Sequence, residues 1–167
     1  MAVEVREDTA FYQSLIELSQ CVCDEVEAAG LMGDLCFCGL VGGATTTSVI
    51  GPNGEGSAWV RLVNAYPSTT FPALTQAVNT SCTAPLAAEI EVGITTCAPQ
   101  PRTSTSNIRP EDWLNTVRKQ MAGMAALRRA IECCFPDEDK VLGQWNPIGP
   151  QGGEVGGFWR VYIGQKG

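Results

Sequence analysis

Glu89 and Glu91 are the best-placed acid–base pair in the chain. Both stand in AAEIEVGITTC, Ala87 to Cys97, where alternation predicts a strand with Ile90, Val92 and Ile94 on one face and Glu89, Glu91 and Thr95 on the other. Two residues apart on a strand puts the carboxylates about 6–7 Å apart, a separation a glycosidase could use. The plainer reading is a solvated sheet face, because nothing nearby in the sequence is built to raise one carboxyl. Histidine is absent, which removes Ser–His–Asp and Cys–His catalysis and the commonest zinc ligand. No catalytic residue, cofactor or metal is therefore expected.

Eight cysteines raise the question of disulfides or zinc. Cys21 and Cys23 fall in a predicted helix, where residues two apart do not face each other. Cys36 and Cys38 fall in a predicted strand, about 6.6 Å apart at the Cα atoms, at the far edge of disulfide geometry. Cys133 and Cys134 are adjacent. A four-cysteine zinc site from Cys21, Cys23, Cys36 and Cys38 lacks the usual C-x₂₋₄-C knuckle. The expectation is mostly small buried apolar residues in a reducing cytoplasm. GPNGEGS, Gly51 to Ser57, is a flexible loop rather than a phosphate loop, since no Lys-Ser/Thr follows and it leads into a strand.

A basic cluster, Arg118, Lys119, Arg128 and Arg129, lies on the most regular segment of the chain, the helix predicted from Pro110 to Cys134. Arg118 and Arg129 project from nearly one side, since eleven residues make about three turns. They are candidate contacts to an acidic neighbouring subunit, with an ordinary solvated face as the alternative. Trp113, Val117, Met121, Met124, Leu127 and Ile131 recur at three and four residues and predict the buried stripe. That stripe should lie on a sheet face made by Ile90, Val92, Ile94, Val60 and Leu62. Pro110 suits the first turn, Asn107 or Arg109 the cap, and Pro136 the stop.

The remaining elements supply the sheet. Thr9 to Gly30 predicts a first helix with Phe11, Leu15, Leu18, Val22 and Val26 inward, Thr9 or Asp8 as cap and Gly30 as the left-handed ending. Strands are expected at Leu35–Val41, Ala58–Tyr66, Ala87–Cys97, Val141–Asn146 and Phe158–Ile163. A loose strand at Thr47–Ile50 and a helical turn at Ala73–Val78 are weaker signals. PIGPQGGEVGG, with five glycines, reads as a long loop that holds Trp145 and Trp159 at its ends. The chain is thus one α+β domain over residues 1–167, with an antiparallel or mixed sheet of four to five strands, two helices on one face, and flexible Gly-rich loops near 42–57, 67–86, 98–109 and 147–157. With 11 basic and 18 acidic residues, a net charge of −7 argues against gripping nucleic acid. No apolar signal core or membrane-length run is present, so the chain reads as soluble and not exported.

The element order, VRLVNAYPSTTFP, AEIEVGITTCAP and the ending MAALRRAIECC…VLGQWNPIGPQGGEVGGFWRVYIG together resemble the head–tail connection proteins of long-tailed, siphovirus-type bacteriophages of actinobacteria, most of all the tail terminators. The resemblance implies a non-enzymatic virion protein of the tail or neck, assembled in the host cytoplasm. Its partners would be copies of itself in a ring, commonly a hexamer, the tail tube protein, and the head connector (stopper) protein. No membrane would be involved, and DNA would pass through without specific binding. On that reading Glu89 and Glu91 are candidate channel-facing residues that repel passing DNA. The alternatives are another connector component, stopper or adaptor, and a small monomeric binding or accessory protein.

Overall fold

A computed structural model describes residues 11–43, 55–75, 84–135 and 139–165. In chain order the elements are α1 (Tyr12–Ala28), β1 (Leu35–Leu40), β2 (Gly56–Pro67), β3 (Leu86–Cys97), α2 (Pro110–Arg129), β4 (Lys140–Gln151) and β5 (Glu154–Gly164). The five strands form one mixed sheet in the order β1-β2-β3-β5-β4, in which only β1 and β2 run parallel. Both helices lie on one face, α1 over β1 and β2, α2 over β3 and β5. This is the expected α+β class. No helix among the described residues is long and apolar enough to cross a membrane. The caps at Thr9 and Asp8, the strand signal at Thr47–Ile50, most of GPNGEGS, the latter half of Ala73–Val78 and the stop at Pro136 lie outside the described residues.

The first helix buries the expected row: Phe11, Leu15, Leu18, Val22 and Val26 all enter the core. It ends as its sequence dictates. Gly30 takes φ +74°, its N–H bonds Glu27 O at 2.9 Å, and the N–H of Leu31 reaches back to Val26 O at 3.1 Å. That pair of bonds satisfies carbonyls that the helix itself leaves open, and only glycine adopts the turn without strain.

The last two strands correct an expectation. Residues 147–157 are not a loop: β4 and β5 run to a two-residue turn, Gly152 and Gly153, at φ +66° and +82°. Two consecutive positive φ values make the tight turn whose twist matches paired strands. Gly157 serves packing instead of flexibility, as Gly93 does on β3. Trp145 lies over Gly157 and Trp59 over Gly93, where a Cβ would collide with the indole. Trp145 and Trp159 face each other across the hairpin, ring centres 5.5 Å apart and planes at 60°.

The second helix also sits differently from its pattern. It starts at Pro110 with Arg109 as cap and continues through a π-helical turn, Ala130–Cys134. Lys140 closes that end, its ammonium donating to the carbonyls of Ile131 and Glu132 at 2.6 and 3.1 Å and to that of Phe135. A cation is well placed there, at the negative end of the helix dipole. Of the six-residue stripe only Leu127 and Ile131 are buried. Met124 is half-buried, whereas Trp113, Val117 and Met121 are exposed. The side against the sheet consists instead of Thr116, Gly123, Ala126, Leu127 and Ala130. Small residues let the helix approach closely: a Cβ at Gly123 would stand 3.0 Å from Ile94 Cγ2. Leu62, expected beneath the helix, sits at a β-bulge and stays exposed.

Candidate functional site

The outward side of α2 follows from that inversion. At 100° per residue Leu114, Val117 and Met121 fall within about 60° of one another, opposite the row of small residues. Their exposures are 64%, 45% and 45%. Arg118 borders them on one side and Arg128 continues the row one to two turns later. The helix thus packs mostly small residues on its own sheet and leaves a row of large apolar side chains uncovered, which makes the outward row the candidate interaction surface. The two predicted subunit contacts separate here. Arg118 is exposed and has no ion-pair partner among the described residues. Arg129 is already committed within the chain, its Nε 2.9 Å from Glu25 Oε2 on α1.

The opposite face of the sheet is not the solvated surface its alternation predicts. Glu91 has 0% exposure. Its Oε1 accepts from Trp59 Nε1 at 2.9 Å and from Arg61 Nε at 3.0 Å, and its Oε2 accepts from Arg61 Nη2 at 2.8 Å. Arg160 adds a second guanidinium 3.5 Å away. Register builds this cluster, because Arg61, Glu91 and Arg160 are direct cross-strand partners on β2, β3 and β5. A bidentate guanidinium plus an indole donor satisfies a carboxylate well enough to be held in the interior. Glu91 therefore presents no free negative charge to a channel, contrary to its expected role. Glu89 is half-buried and pairs with Arg160 Nη1 at 3.2 Å. Burial first, then the nearby Tyr162 and Glu89, push the Tyr66 phenol above its usual range. The pair is not arranged for acid–base chemistry either, since one member is locked by two cations.

A polar cleft of about 450 Å³ opens at the end of β3, beside the first turns of α2. Its charges are largely matched in place: Lys119 Nζ lies 2.8 Å from Asp34, and Arg109 holds Asp112 at 3.3 Å. The guanidinium of Arg109 keeps the Asp112 carboxyl below its usual range. Cys97 borders the cleft, and burial first, then Glu154, Glu55 and Asp34, push its thiol up. That is the reverse of what activates a cysteine nucleophile.

The cysteines correct the sequence reading. Cys21 is bridged to Cys134 and Cys23 to Cys38, each with Cα atoms 5.8 Å apart. Cys21 and Cys23 point apart on the helix and so take two different partners: one thiol faces the π-helical end of α2, the other faces β1. Long-range pairing of this kind has no signal in local spacing. Most of the cysteines are also partly or fully exposed instead of buried. Among the described residues no three Cys, Asp or Glu side chains group to hold a metal. No protein-family model matches the chain, and no curated protein matches it.

Proposed function

We propose that the protein is a structural subunit that works by assembling with copies of itself, as the tail terminator ring of a long-tailed bacteriophage. The observation that carries this reading is the outward row of Leu114, Val117 and Met121, large apolar side chains on a regular helix that their own sheet leaves uncovered. A chain acting alone gains nothing from exposing them, whereas a neighbouring subunit would remove them from water at roughly 25 cal/mol per Å² buried. The ring, its caps on the tail tube and the head connector, and its place in the virion follow from the resemblance in sequence. The enclosed Glu91 narrows the channel idea: any repulsion of DNA from this face would rest on Glu89 and on the net charge of −7.

Light scattering on the purified chain, with electron microscopy of the same sample, tests the reading. Rings with a central hole, free or on the ends of tail tubes, are the expected result. A chain that stays monomeric at every concentration, with or without tubes, would leave the accessory-protein alternative in its place.

A further inference from the structure

The exposed surface of α1 differs from that of α2 in sign. Tyr12 and Ile16 stand exposed on its first turns, and along the same side run Glu17, Gln20, Asp24 and Glu27. The helix YQSLIELSQCVCDEVEA contains no basic residue. The amides of Gln13 and Gln20 bond Glu17 and Asp24, at 3.1 and 3.0 Å, and leave their charge uncompensated. Arg128 on α2 is paired within the chain, its Nε 3.0 Å from Glu132 Oε2, so the chain carries an apolar patch edged by acids on α1 and another edged by Arg118 on α2.

The two patches lie at opposite ends of the helical layer. Contacts between the helices run in opposite order along them: Cys21 with Cys134, Glu25 with Arg129, Leu31 beside Gly123, and Asp34 with Lys119. The helices are therefore antiparallel. From Glu25 back to Tyr12 is about 20 Å at 1.5 Å per residue, and from Arg129 back to Leu114 about 22 Å the other way. Tyr12 and Ile16 project past the end of α2, and Leu114 and Val117 past the end of α1.

We infer that the occupant of the α2 patch is the α1 patch of a second copy, in a head-to-tail contact. This rests on the self-assembly proposed above and names the surfaces that make it. Charge decides between the possible pairings. A two-fold contact of α2 on α2 would set Arg118 near its own copy, and α1 on α1 would oppose carboxylates. Only α2 on α1 places Arg118 against Glu17 and Asp24 while the apolar rows cover each other. A contact between two different patches leaves one of each open, so it propagates until the rotation closes a ring.

Two surface variants test it, Met121→Asp on the α2 patch and Ile16→Asp on the α1 patch, each first verified as folded by circular dichroism and cooperative unfolding. Each alone is expected to be monomeric by light scattering at concentrations where the natural chain assembles. Mixed in equal amounts they should form a heterodimer and nothing larger, because only one competent contact joins them. A second pair guards against a weak single contact. Arg118→Glu and Glu17→Arg should each weaken assembly at least tenfold, and both in one chain should restore it. Assembly of the Ile16→Asp variant like the natural chain, or failure of the double reversal to restore assembly, overturns the inference and leaves the ring reading standing. If the natural chain itself never assembles, both fall.

Discussion

Glu91 shows how far a single residue's role depends on what covers it. Its cluster predicts that Glu91→Ala destabilises the fold by about 3–5 kcal/mol in urea denaturation, because Arg61 is left charged and enclosed. Glu89→Ala, on the same strand face but half-buried, should cost no more than about 1 kcal/mol. Equal losses at the two positions would contradict the account. Asp112 gives a prediction in pH. Its folded carboxyl is depressed by Arg109, so its contribution to the start of α2 is present above the unfolded value and is lost as pH falls through the depressed folded value. The Asp112 side-chain carbon shift, followed by NMR, should titrate below the ordinary carboxylate range. Period-two alternation put Glu89 and Glu91 on one face correctly. It carried no information about a cover for that face, nor about the cross-strand arginines that register brings there.

At the scale of elements, α2 was readable as a helix starting at Pro110, while its cap was open between Asn107 and Arg109 and is Arg109 in the structure. Its rotation was not readable. The pattern of large apolar residues suggested one buried stripe, while close packing on β3 and β5 selected the small residues, with Gly123 against Ile94. Gly123→Leu is accordingly expected to cost about 1–3 kcal/mol by overpacking. In the Ile16→Asp background, expected to be monomeric so that assembly does not enter, Met121→Ser should leave thermal unfolding nearly unchanged, and a loss as large as that of Gly123→Leu would restore the original stripe. The β4–β5 hairpin differs from its expectation for a similar reason: glycine content signals loops, but Gly157 beneath Trp145 makes room for an indole and Gly152 and Gly153 make the tight turn. The disulfides tie these elements together. Cys21–Cys134 closes 113 residues and Cys23–Cys38 closes 15, so chain entropy gives the first roughly 4–5 kcal/mol and the second roughly 3. Cys21→Ser should therefore lower the urea midpoint more than Cys23→Ser, and reduction should lower it more than either.

For the whole molecule, the fold class and the assignment of both helices to one face were legible, since hydrophobic periodicity and the order of elements determine them. The exposed row proposed as an interaction surface was visible only once the rotation of α2 was known, because a row of apolar residues in sequence does not say whether it faces its own sheet or the outside. In the proposed assembly this row is covered by another copy of the chain. The most direct measurement is the molar mass of the purified protein by light scattering over a wide concentration range, compared with Met121→Asp. A mass several times the 17.8 kDa of one chain, falling to one chain in the variant, is the predicted result. A natural chain that remains at 17.8 kDa throughout, or a variant that assembles as the natural chain does, would contradict it.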